Sequence, residues 1–162
     1  MGFENTSGRN VVAHYGPREL DQHYGGEYGT KDATFVAEWI FDYDDLPVEG
    51  STNFGITIPA NARILSAKFE VITAFTSTST TTDLDVGLAF ATNTDDPNGL
   101  ITATVLTQTA IAVVGDVLDG DGAFVGATIG DEKGWLTVTP NVDDLLTGRA
   151  RVLVEYINAG NS

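Results

Sequence analysis

The chain has 162 residues, 42% of them hydrophobic, enough for one domain around one core with a segment to spare. Its 23 acidic residues against 8 basic ones give a formal charge of −15, a surface that repels phosphate backbones and argues against direct nucleic-acid binding. With no cysteine, disulfides, thiol nucleophiles and thiolate metal sites are excluded together.

Residues 1–33 read as an extended arm. Gly8, Gly16, Gly25, Gly26 and Gly29, with Pro17, break any packed element, and apolar residues at helical or strand spacing are few. The triplets His14-Tyr15-Gly16 and His23-Tyr24-Gly25 echo each other, too briefly to define a repeat. Tyrosine offers large contact area with a polar tip and glycine permits close backbone approach, a composition suited to a segment that orders on a partner. The arm carries three basic and five acidic groups, a net of −2, which leaves −13 for residues 34–162. No run of about 18 apolar residues marks a membrane span, and the polar start lacks the regions of a signal peptide. The protein is therefore expected in a cytoplasm, without a membrane partner. Gly2 with Thr6 formally fits a lipidation pattern, but one short enough to arise by chance.

From residue 34 the apolar period becomes two, the signature of strands in a domain spanning residues 34–162. Phe35, Ala37, Trp39, Phe41 and Tyr43 share one face, opposite Val36, Glu38, Ile40 and Asp42, and Asp44-Asp45-Leu46-Pro47 ends the strand. A second strand covers Phe54 to Ile58. The third runs from Ile64 to Phe75, with Leu65, Ala67, Phe69, Val71 and Thr73 predicted on one face. Thr76 to Thr82 is a polar, hairpin-like connection, and Leu84, Val86, Leu88 and Phe90 then face inward. Asp95 to Gly99 reads as a turn, Thr107 to Val113 as a short helical turn, and Asp116 to Gly122 as another turn. Strands are predicted at Ala123 to Ile129 and Trp135 to Thr139. Thr139-Pro140, Asp143, Asp144 and Gly148 have the order of a capped helical turn, and Arg149 to Ile157 forms the closing strand. The expected fold is all-β, an antiparallel β-sandwich with jelly-roll-like connections, an extended N-terminal arm and one or two short helical turns.

Residues able to perform chemistry are scarce. His14 and His23 are the only imidazoles, and both lie in the arm without a scaffold to hold a general base; two ligands alone do not make a zinc site. Asp83 and Asp85 share a strand face, where they keep its outward side wet. Asp116, Asp119 and Asp121 resemble part of a calcium loop, but the terminal glutamate is missing and turn chemistry explains them. Lys68, Arg63, Arg149 and Arg151 fit salt-bridging strands, too few for a nucleic-acid groove. No enzyme, metal or cofactor is expected.

Several segments together resemble small virion proteins of tailed bacteriophages, the capsid decoration or cement proteins. They are Asn10 to Arg18, Ile58 to Ala62 leading into Ala67 to Val71, Thr73 to Thr76, Leu84 to Gly87, Asp95 to Leu100, Gly122 to Gly126 and Arg151 to Ile157. The resemblance implies a β-sandwich that forms a homotrimer on the outer capsid surface of the virion and ties neighbouring major capsid proteins together, with no catalytic residues. Such a protein resists the outward push of a packed genome by bridging subunits. The arm residues Arg9, His14, Tyr15, Arg18, His23 and Tyr24 are the expected capsid contacts. The alternative is a carbohydrate-binding β-sandwich using Trp39, Trp135 or Tyr156 as a stacking platform, although Trp39 and Tyr156 fall within apolar alternation and read as core.

Overall fold

The computed structural model describes residues 34–46, 52–141 and 145–158. Among these, the alternating segments form eight strands: β1 Thr34–Asp42, β2 Thr52–Ile58, β3 Ala62–Ser77, β4 Leu84–Ala89, β5 Asp96–Ile101, β6 Val117–Asp119, β7 Gly134–Pro140 and β8 Leu145–Asn158. They lie in two four-stranded antiparallel sheets, ordered β1-β8-β3-β6 and β2-β7-β4-β5. First pairs with last, second with seventh, third with sixth and fourth with fifth. That nesting is one long hairpin rolled across two sheets, the jelly roll. The arm and its boundary at residue 33 lie outside the described residues.

Alternation places the core between the sheets. Ala37, Trp39 and Phe41 of β1 point inward with Ala150, Val152 and Val154 of β8, and meet Leu84, Val86, Leu88, Leu136 and Val138 from the other sheet. Phe41, Phe69 and Phe75 form an aromatic cluster with centroids 6.0 to 6.1 Å apart, and Trp39 stacks on Phe41 at 4.4 Å. After β1 a 3-10 turn, Tyr43–Asp45, is closed by the Asp45 carboxylate accepting from the Asp42 amide at 2.9 Å. The helical turn near Thr107 is present as α1, Gln108–Ile111, with the Thr107 hydroxyl capping the Ala110 amide.

Five predicted elements differ. Asp95 to Gly99 is not only a turn: residues 96–101 are β5, an edge strand, where Pro97 lacks a ladder donor at little cost. The pairing slips between Val86 opposite Ile101 and Leu88 opposite Asp96, which accommodates the turn-forming residues inside the strand. Gly87 lies beneath this segment, where a Cβ would overlap the Asp96 and Pro97 backbone. Asp116 to Gly122 contains β6, three residues paired with β3. Ala123 to Ile129 is not a strand but a chain of turns, Val125 to Gly122 and Ala127 to Phe124, tied to β3 through Ile64 and Ala62. Thr76 to Thr82 is not a hairpin: Thr76 and Ser77 end β3, and the residues after them carry the chain from one sheet to the other, braced by Ser77 Oγ against Thr82 Oγ1 at 2.6 Å. The capped helical turn ending at Gly148 is replaced by strand: β7 reaches Pro140 and β8 begins at Leu145, while Asp143 and Asp144 lie outside the described residues. Gly148 serves close packing, since a Cβ there would overlap the Phe75 ring.

Within β3 the inward face also changes parity. Ile64 opposes Tyr156 and Ser66 opposes Glu155, so Leu65 is the extra residue of a bulge. Ala62 and Ile64 are buried before it and Ala67, Phe69 and Val71 after it, leaving Leu65 42% exposed instead of inward. A second irregularity between Val71 and Thr73 turns Thr73 outward as well.

Candidate functional site

The predicted arm contacts Arg9, His14, Tyr15, Arg18, His23 and Tyr24 lie outside the described residues. The paired carboxylates Asp83 and Asp85 hold loops. Asn141 Nδ2 donates to Asp83 Oδ1 at 2.8 Å and to Asp85 Oδ2 at 2.7 Å, and the Ala103 amide donates to Asp85 Oδ1 at 2.6 Å. Asp83 and Asp85 thereby tie the β3–β4, β5–β6 and β7–β8 connections together at one end of the sandwich.

Asp116, Asp119 and Asp121 diverge. Asp119 accepts from Lys68 Nζ at 2.5 Å, and the Asp116 backbone carbonyl accepts from the Val71 amide. Asp121 accepts from the Thr102 amide at 2.9 Å and the Thr102 hydroxyl at 2.8 Å. Burial raises the Asp121 carboxyl, but these bonds outweigh it and hold the group below the usual carboxylate range. Among the described residues no three His, Cys, Asp or Glu side chains gather at metal-binding distance.

The aromatic platform is dispersed. Trp39 is 8% exposed in the core, and Tyr156 stacks on Phe35 with centroids 5.6 Å apart. Trp135 is half-buried, with the Lys133 ammonium 4.9 Å from its ring centroid, so a cation already occupies that ring face.

What the fold does assemble is the outer face of the β1-β8-β3-β6 sheet. Register aligns Glu38, Leu153, Lys68 and Asp119 in one row and Ile40, Arg151, Glu70 and Val117 in the next. Arg151 bonds Glu70 and lies 3.6 Å from Glu38; Arg149 lies 3.5 Å from Asp42; Ser66 Oγ donates to Glu155 at 2.8 Å. Hydrogen bonding and charge from Asp119 raise the Lys68 ammonium above its ordinary value, and Glu70 does the same for Arg151. These pairs range from half-buried to exposed and keep contact with water, so each contributes modest stability; their effect is to cancel charge.

The cancellation is confined to this face. Arg63, Lys68, Arg149 and Arg151 stand against Glu38, Asp42, Glu70, Asp119 and Glu155, a formal balance of −1. The other ten acidic groups among the described residues meet one cation, Lys133, a balance of −9, although three of the ten, Asp44, Asp45 and Asp116, directly flank strands of this sheet. The exposed large hydrophobic residues follow the same division. Among the described residues all of them lie in strands of this sheet or beside them, including Val36, Ile40, Ile72, Val113, Val114 and Val117. Val114 is 63% exposed and Val117 53%. Their loop is held firmly, with the Gly115 amide donating to Val71 O at 2.8 Å and the Val71 amide to Asp116 O at 2.9 Å. Sequence reading placed Val36 and Ile40 on an outward face and paired the cations with strands. It missed the aliphatic cluster at β6, whose sign was an apolar Val113-Val114 beside a glycine in a segment without a decisive period.

No protein-family model matches the sequence, and no curated protein matches it. Among solved structures, a chain of the cyanophage Pam1 capsid asymmetric unit superposes with a TM-score of 0.59 at 15% identity, covering 85% of this chain and 94% of that one. A chain from the acidic stable capsid structure of Helicobacter pylori bacteriophage KHP30 gives 0.54 at 16% identity, covering 79% and 90%. A chain from the capsid of Ralstonia phage GP4 gives 0.53 at 18%, covering 84% and 91%. At such identity the likeness is one of fold, and it extends over nearly the full length of each capsid chain.

Proposed function

We propose that this chain is a virion structural protein of a bacteriophage, a decoration (cement) protein that binds the outer surface of the head and stabilises contacts between major capsid proteins. The observation that carries this reading is the near-full-length likeness to chains from three phage capsids, each scarcely more than the jelly roll itself. The side chains of Asp83, Asp85 and Asp121 clamp loops, a structural use in keeping with this reading. A carbohydrate platform finds no support, since the three candidate rings are scattered and Trp135 carries a lysine over its face.

In this mechanism the rigid sandwich supplies shape and the arm, residues 1–33, supplies reach. Arg9, His14, Tyr15, Arg18, His23 and Tyr24 are the proposed capsid contacts, ordering across neighbouring subunits as a homotrimer docks. Ordering such a segment costs about 2 to 5 kcal/mol, which tyrosine and arginine contacts at the shell offset. Deleting residues 1–30 and measuring co-sedimentation with empty, expanded capsids tests the arm. The proposal expects binding to fall at least about tenfold, a loss of about 1.4 kcal/mol; undiminished binding rejects the arm's role.

A further inference from the structure

We infer, resting on the capsid reading, that the outer face of the β1-β8-β3-β6 sheet is the surface laid against the shell protein.

Two features of the surface itself and one of the chain's connectivity meet there. The first is charge: a body at −13 is repelled by other acidic protein surfaces, and on the strands of this face cations and carboxylates nearly cancel. The second is chemistry: exposed aliphatic side chains stand between those charge pairs, with Ile40 43% and Val117 53% exposed, the mixture of a protein interface. Neither a polyanion nor a sugar selects such a surface. The third is connectivity. The described chain enters the sandwich through β1, an edge strand of this same sheet, so an arm bound to the shell would lead directly into it.

Size is consistent with the assignment. The four strands, of 9, 14, 16 and 3 residues, lie about 4.8 Å apart and cover roughly 650 Å² of plane, the scale of one side of a standard protein interface at about 800 Å². The occupant is therefore a polypeptide of the shell, contacting aliphatic and paired-charge surface. A second copy of this chain is the competing occupant.

The absence of cysteine gives a direct test. Ile40→Cys and Val117→Cys place a single thiol on the inferred face, and Thr57→Cys places one on the outward side of β2 in the other sheet; all three positions are exposed. Full-length variants, checked for unchanged melting, are labelled with a maleimide when free at low concentration and when bound to empty expanded capsids. The inference expects labelling at positions 40 and 117 to slow by about tenfold or more on the capsid, as in the dry centre of an interface, with position 57 unchanged. Equal labelling of positions 40 and 117 in bound and free protein overturns it. Protection of those positions in the free protein that rises with its concentration also overturns it, in favour of a second copy. Failure of the unaltered chain to bind capsids rejects the capsid reading itself, an outcome separate from either.

Discussion

The carboxylate of Glu132 accepts from the amides of Ala91, Thr92 and Asn93 and from the Thr92 hydroxyl, at 3.0 to 3.2 Å, closing the β4–β5 loop over the β6–β7 connection. The Asn93 amide is the largest of the influences that hold this carboxyl below its ordinary value. A depressed value in the folded state has a definite sign. On acidification the unfolded chain takes up its proton first, so the contribution is complete above the ordinary carboxylate range and drains as pH falls through the depressed value. Glu132→Gln is therefore expected to narrow the difference between urea unfolding midpoints at pH 7 and pH 3; an unchanged difference would show that the clamp carries no acid sensitivity. Single residues of this kind were invisible in the sequence. Asp83, Asp85 and Asp121 could be named as candidates from type and spacing, but their partners Asn141, Ala103 and Thr102 are brought to them only by loops converging from distant strands.

Strands are legible where one face is apolar without interruption, as in β1, β4 and the body of β8. Elsewhere local chemistry misleads for physical reasons. Asp96-Pro97-Asn98-Gly99 has turn composition, yet an edge strand needs ladder bonds on one side only and absorbs a proline. Ala123 to Ile129 has strand composition, yet its backbone bonds close turns and fasten to β3. Alternation also cannot reveal a bulge, because an extra residue shifts all later positions by one face. Leu65 and Phe69 make that shift measurable. Phe69→Ala, in the aromatic cluster, is expected to cost about 3 to 5 kcal/mol in denaturant unfolding, whereas Leu65→Ala, at the bulge, is expected to cost under about 1 kcal/mol. Comparable losses at the two positions would place Leu65 in the core and remove the bulge.

At the scale of the molecule, the two-sheet all-β class follows from alternating strands and an absence of long helical periodicity, while strand order does not. It arises from the nested pairing of β1 with β8 through β4 with β5, contacts between residues far apart in sequence. The charge asymmetry was likewise out of reach, since a net of −15 says nothing of where the cations stand. Folding gathers four of them on one sheet beside the exposed aliphatic residues, and gives an otherwise acidic body one side on which another protein can rest. That division gives the proposed docking a physical logic: the nearly neutral, partly apolar surface would face the shell, and the proposed contacts of the arm's tyrosines and arginines would extend it beyond the sandwich.

The most direct measurement is an electron cryomicroscopy reconstruction of the phage particle proposed to carry this chain. The account predicts jelly-roll density on the outside of the head, with the β1-β8-β3-β6 sheet toward the shell and the arm continuing along neighbouring subunits. A head that lacks this density, or holds the chain on its inner surface, would contradict it.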